Sequence, residues 1–287
     1  MLRPDQIQDC IRRSAKKMQE MRDLISSYGS ALVAFSGGVD STLVLKVASE
    51  QLGPKVLALT AVSPSLPVDE ERAAHELATG MGIEHVTVDS SELSNPQYAQ
   101  NRSNRCYFCK TELYDLCGQK RAELGLAVVM DGFNADDLRD YRPGQKAARE
   151  HGIRSPLAQV GLTKDEVRSW SFALGLPNWD KPQMPCLASR IPYGTEVTRE
   201  RLTQIGAAEA DLRNLGLRTF RVRYHGGIAR IEVSEEEYEK FTSREFGRRV
   251  VAAVKSRGFQ FAVLDLEPFR SGRLNEAAGI LPEDRRA

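Results

Sequence analysis

This 287-residue chain is predicted to fold as an α/β protein, a parallel sheet followed by a smaller α+β unit. Three features point there. Short apolar runs alternate with helix-length segments as far as about residue 174, the signature of βαβ units. A Gly-Gly turn joins the first apolar run to a helix. Past a connector with three prolines, residues 176–185, the pattern changes to strands that alternate around a second Gly-Gly. The expected division is a parallel-sheet domain at 1–183, an α+β domain at 184–273 and a charged tail at 274–287 that frays.

Taken in order, Ile7, Ile11, Met18, Met21 and Ile25 recur at helical spacing and predict a helix over 6–27 with one buried stripe. Residues 31–35 read as a buried strand and 42–52 as the helix after it. A strand at 55–61, a helix at 68–81 and a strand at 85–89 follow, then a helix at 109–124, a strand at 127–131 and a helix at 164–174. In the second unit a helix is expected at 199–215. Residues 220–224 and 228–233 make a hairpin around His225-Gly226-Gly227. Helices at 234–242 and 244–257 precede a last strand at 259–266.

The bulk composition narrows the class. The chain is 41% hydrophobic and 28% charged with a net charge of +1, which disfavours a general nucleic-acid or membrane surface. The first residues hold no signal-peptide core and no run reaches transmembrane length, so a cytoplasmic protein is expected. Five cysteines, an odd number, then read as thiols or ligands rather than a disulfide scaffold.

Ser36-Gly37-Gly38-Val39-Asp40-Ser41 lies between the first strand and its helix. Adjacent glycines let backbone amides approach a ligand closely, and the helix N-terminus favours an anion. There is no Gly-Lys-Ser/Thr, which excludes the P-loop of kinases and GTPases. Asp131 to Asp137 lies at the end of the fourth strand, where ligands of open α/β sheets bind, so its acids are candidates for metal or ATP.

Cys106 and Cys109 form a Cys-x-x-Cys pair, and Cys186 follows Pro185 in a loop. A structural zinc site takes four ligands, and no fourth stands at a recognisable spacing. A disulfide switch needs no third thiol. Three thiolates can instead hold a 4Fe-4S cluster and leave one iron open to a labile sulfide. Arg105, Lys110 and Arg190 flank these cysteines, a cationic setting expected to lower thiol pKa. Cys10 and Cys117 lack it and read as packing residues.

The phosphate loop resembles the PP-loop of ATP pyrophosphatases. Together with Arg105-Cys-Tyr-Phe-Cys-Lys110, Asp140-Tyr-Arg-Pro-Gly144, Cys186-Leu-Ala-Ser-Arg-Ile-Pro-Tyr-Gly194 and Arg221-Val-Arg-Tyr-His225, it resembles the LarE family of sulfur transferases from about residue 7 to Arg273. The resemblance implies a PP-loop domain of the adenine nucleotide alpha hydrolase type. It implies adenylylation of pyridinium-3,5-biscarboxylic acid mononucleotide, then replacement of the activated oxygens by sulfur, as a step of nickel-pincer nucleotide biosynthesis. Ser36, Gly37, Gly38, Asp40 and Ser41 would hold the pyrophosphate of ATP with Mg²⁺. Three cysteines imply the branch in which Cys106, Cys109 and Cys186 bind a 4Fe-4S cluster, rather than the branch that sacrifices one cysteine. Arg221 and Arg223 would hold the substrate phosphate, with Ser189 and Arg190 beside the reacting carboxylate. Glu209 matches an acidic position of family members that form hexamers, which implies a homo-oligomer. The rivals are a PP-loop tRNA thiolase, against which stand the neutral charge and the lack of an RNA-binding domain, and an iron–sulfur carrier or sensor without activity.

Overall fold

The structure is a computed structural model that describes residues 3–139, 143–270 and 272–279. Of the Asp140–Gly144 motif, positions 140–142 lie outside the described residues, as does most of the expected tail.

The first unit contains helix α1 (Pro4–Ser26), strand β1 (Ala31–Ala34), α2 (Val39–Leu52), β2 (Val56–Val62), α3 (Val68–Gly80) and β3 (Glu84–Asp89). After these come the short α4 (Pro96–Ala99), α5 (Arg105–Glu123), β4 (Val128–Met130), α6 (Pro143–Glu150), α7 (Pro156–Gln159) and α8 (Lys164–Ala173). Its four strands are all parallel in the order β3-β2-β1-β4. Strand β1 is buried throughout. Ala31 and Val33 face a core built with α1, α2 and α8, while Leu32 and Ala34 face Tyr114, Cys117 and Ala147 on the other side. Helix α2 is apolar around most of its girth because α1 and α8 cover it. Trp170 packs against that core and donates to Ser14 Oγ at 2.9 Å.

The chain runs outward through β1, β2 and β3, then returns to place β4 on the free side of β1. Strand order therefore reverses between β1 and β4, and the loops after these two strands open a crevice at their carboxyl ends. Gly132 sits in it because a Cβ there would lie 2.7 Å from the Ser41 nitrogen.

The second unit holds α9 (Arg199–Asn214), β5 (Phe220–His225), β6 (Ile228–Val233), α10 (Arg244–Ser256), β7 (Phe261–Leu264) and α11 (Arg273–Ala277). Strands β5 and β6 form the expected hairpin, and β7 joins β6 in parallel. Helix α9 and α10 close a separate core that also takes Tyr98 from α4. No helix among the described residues is long and apolar enough to cross a membrane.

Several expectations need correction. Helix α2 begins at Val39, so Val39, Asp40 and Ser41 form its first turn, because Gly38 is the extended N-cap. Helix α5 begins at Arg105 rather than 109. The helix expected at 234–242 is present as a 3-10 helix over 235–242. Residues 274–277, expected to fray, are helical, and Arg273 at their start is tied to Asp265 and Glu267 at 3.1 and 2.9 Å.

The pair Arg190–Glu209 is fully buried in the second unit, with Nε to Oε1 and Nη2 to Oε2 both at 2.9 Å. Removing one partner leaves the other charge without water or counter-ion. Glu209→Ala is expected to cost about 3–5 kcal/mol in urea unfolding; a loss below 1 kcal/mol would contradict this account of the pair.

Candidate active site

A cavity of about 340 Å³ occupies the crevice. The phosphate loop forms its floor through Ser36, Gly38, Asp40 and Ser41. Ser36 and Ser41 hydroxyls stand 3.2 Å apart, and Ser41 Oγ donates to the Gly38 carbonyl at 3.1 Å. The N-terminal end of α2 is aimed at the cavity through these residues, the polarity an anion needs. Gly37, with φ +65°, has its carbonyl turned to the far side.

Three lysines stand close by, of which sequence spacing singled out only Lys110, as a neighbour of the thiols. Lys110 lines the cavity. Lys164 Nζ reaches Asp40 Oδ2 at 2.5 Å, and Lys181 Nζ pairs with Glu70 at 2.8 Å. Asp40 also accepts from Asn134 Nδ2 at 3.2 Å. Of the acids after β4, Asp131 is held by Tyr114 Oη at 2.8 Å, Ser155 Oγ at 2.6 Å and the Phe133 amide at 3.2 Å. Burial raises its pKa against the pull of those donors. Asp137 also lines the cavity.

The opposite wall carries the thiols. Because α5 starts at Arg105, Cys106 and Cys109 lie in its first turn three residues apart, on one side of the helix. Cys186 is the N-cap of a 3-10 turn at Leu187–Arg190. Cys109 and Cys186 both line the cavity, and Cys106, which is exposed and not among the lining residues, stands within electrostatic range of Cys186. The convergence has a physical cause. Buried Arg105 donates to Asn101 Oδ1 and, at 3.0 Å, to the Ala188 carbonyl. Asn101 Nδ2 in turn serves the carbonyls of Ile191, Pro192 and Thr195 at 3.2, 2.9 and 2.8 Å. The segment beyond Cys186 is thereby fastened to the start of α5. On the β2 side, the Leu187 amide donates to the Ser65 carbonyl at 2.8 Å.

The expected lowering of thiol pKa by neighbouring cations is overturned at two positions. Burial pushes Cys109 well up, and Glu92 and Cys186 add to it against Lys110. Burial also raises Cys186, with Arg105 and Arg190 opposing and Cys106 and Glu92 adding. Desolvation outweighs the cations at both thiols. Among the described residues no three His, Cys, Asp or Glu side chains form a closed metal-ligand group. Cys117 is buried in the sheet core, where burial pushes it up to about 12, and Cys10 lies on α1.

The arginines take distinct places. Arg190, expected beside a substrate carboxylate, is wholly buried and spends its donors on Glu209, Ser189 Oγ and the carbonyls of Pro185 and Cys186. Arg223 pairs with Glu232 at 2.7 Å and donates to the Ser189 carbonyl at 2.8 Å. Arg221 is buried over the Phe269 ring and reaches only the carbonyls of Phe220 and Gln183. It has no carboxylate partner among the described residues. Burial, with Arg190 and Arg223 nearby, lowers its pKa to about 10. Glu209, read as a subunit-contact position, is an internal partner of Arg190 and of the Val222 amide at 3.0 Å.

Comparison with known proteins agrees with this architecture. The asparagine synthase family model matches residues 22–184. An uncharacterised protein of Synechocystis sp. is 48% identical over 259 residues, 90% of this chain and 97% of that protein. The pyridinium-3,5-bisthiocarboxylic acid mononucleotide synthase of Lactiplantibacillus plantarum is 41% identical over 247 residues, 85% of this chain and 88% of that protein. A GMP synthase of Phaeosphaeria nodorum is 26% identical over 68% of this chain and 41% of its own length. The phosphate loop at the sheet's switch point, the thiol-bearing wall facing it and an alignment that runs through both units have one reading: the chain belongs to the LarE family, built on an asparagine-synthase-type PP-loop domain.

Proposed function

We propose that this protein is an ATP-dependent sulfur transferase that converts the carboxylates of pyridinium-3,5-biscarboxylic acid mononucleotide to thiocarboxylates, releasing pyrophosphate and AMP. The observation that carries the reading is one cavity lined by both the phosphate loop and two of the three thiols. A carboxylate oxygen of the substrate attacks the α-phosphorus of ATP and pyrophosphate leaves. Sulfur then adds to the activated carbon, and AMP departs with the former carboxylate oxygen.

The chain's own groups suit each part. Gly38, Ser36 and Ser41 offer amide and hydroxyl donors to the pyrophosphate, and Lys164 and Lys110 add positive charge. Mg²⁺ would enter with ATP; it keeps several waters and takes one or two carboxylates besides phosphate oxygens, a demand that Asp40 and Asp137 suit. Cys106, Cys109 and Cys186 would hold a 4Fe-4S cluster. The donor set suits it, since two soft thiols and no imidazole line this corner of the cavity and the third thiol, Cys106, stands within electrostatic range of Cys186. When bound, the cluster supplies the sulfide. Arg221, buried and lacking a carboxylate partner among the described residues, is the cation suited to the substrate phosphate, with Arg223 beside it. Arg190 acts by holding the Cys186 and Ser189 segment in place. The net charge of +1 suits a small nucleotide substrate rather than RNA, and self-association of the chain is the further expectation.

Anaerobically reconstituted protein given the biscarboxylate mononucleotide and Mg-ATP is expected to release pyrophosphate. No pyrophosphate and no AMP adduct would overturn the transferase reading. With added sulfide, more than one sulfur is expected per chain; a stop at one would mean cysteine sacrifice. Cys186→Ala should lose the brown cluster absorbance and keep ATP binding, whereas a retained cluster removes Cys186 from the ligand set. Arg221→Met is expected to raise KM for the mononucleotide roughly 10- to 100-fold, the worth of a charged hydrogen bond, with KM for ATP unchanged. An unchanged mononucleotide KM would take the phosphate away from Arg221.

A further inference from the structure

The strand of chain that carries Cys186 first passes behind the phosphate loop. Buried Asn178 donates from Nδ2 to the Gly37 carbonyl at 3.1 Å and to Thr42 Oγ1 at 2.9 Å. Lys181 Nζ approaches the same Gly37 carbonyl at 3.4 Å while paired with Glu70. From the other side Gly37 rests on Ala74, where a Cβ would come within 3.1 Å of that residue's backbone and side chain. The Gly37–Gly38 peptide is therefore fixed on two sides.

In a trans peptide the carbonyl and the following N–H point in opposite directions. A Gly37 carbonyl drawn to Asn178 and Lys181 turns the Gly38 N–H the other way, toward the cavity that Gly38 lines. There its partner is Ser36 Oγ at 3.4 Å, a long contact that a phosphate oxygen readily replaces. The next peptide is held too: Thr42 Oγ1, met by Asn178, donates to the Gly38 carbonyl at 2.8 Å. Asn178 Oδ1 is buried without a hydrogen-bond partner among the described residues, a costly arrangement that buried polar groups usually avoid. The amide is oriented for the loop at the expense of its own oxygen.

From these contacts we infer that Asn178 and Lys181 are positioning residues that hold the Gly37–Gly38 peptide in the orientation that binds the pyrophosphate of ATP. The inference rests on the ATP reading of the loop. Both residues lie on the segment that continues to Gln183, whose carbonyl Arg221 grips at 2.7 Å, and to Cys186, so one strap spans the phosphate loop and the thiol wall.

The test titrates the full chain, purified anaerobically, with inorganic pyrophosphate, with ATP and with the biscarboxylate mononucleotide. Asn178→Leu and Lys181→Met are expected to weaken pyrophosphate and ATP binding about tenfold or more, the effect of losing a donor to a buried carbonyl. Mononucleotide affinity should stay near wild type in both variants and the melting temperature should fall by only a few degrees, and Lys181→Arg should bind pyrophosphate as the wild type does. Variants that bind pyrophosphate within twofold of a binding wild type would overturn the positioning role alone. So would a parallel loss of all three ligands together with melting temperature, which marks a merely structural role. A wild type that binds neither pyrophosphate nor ATP would overturn the ATP reading and this role with it.

Discussion

The site depends on one buried bracket, Arg105 with Asn101. Arg105 immediately precedes Cys106, and its guanidinium ends on the carbonyl of Ala188, two residues past Cys186. Asn101 adopts φ 53°, a backbone conformation rare outside glycine, and from there caps three carbonyls of the segment after Cys186. These groups are out of water, so separating them would strand several polar atoms, each at a cost of about 1–3 kcal/mol. Burial opposes the charge on Arg105, but Cys186 and Cys106 lie near enough to hold its pKa up. Arginine and thiol wall are therefore one construction.

A second layer of buried charge surrounds this bracket. Arg190 and Arg223 both hold the backbone between Pro185 and Ser189 and are neutralised from behind by Glu209 and Glu232. Such pairs add little net stability compared with apolar packing. Their use here is geometric, since a fork of fixed donors aims carbonyls and so sets the direction of Cys186. Arg221 stands near both of these arginines and has no carboxylate partner among the described residues, which is why it is proposed for the substrate phosphate.

The sheet and the phosphate loop were legible in the sequence because their determinants are local. A buried strand, two glycines and a helix start suffice, and the switch point follows from strand order. The hairpin at Gly226-Gly227 was legible for the same reason. Helices α4, α6 and α7 were not, being short pieces held by docking rather than by an amphipathic period. The pairing of Arg190 was not legible because spacing shows a cation but not its partner, and Glu209 lies 19 residues away in another helix. Thiol acidity was misjudged likewise: flanking cations are visible in the chain, whereas the burial that outweighs them belongs to the fold.

The central claim is that Arg105 and Asn101 bring three distant thiols to one corner of the nucleotide cavity. Trivalent arsenic binds thiolates without iron, sulfide or ATP, and X-ray absorption counts its sulfur neighbours. The account predicts one arsenic per chain with three sulfur neighbours in the wild type and two in Cys186→Ala. Two neighbours in the wild type, or three retained in Cys186→Ala, would contradict it.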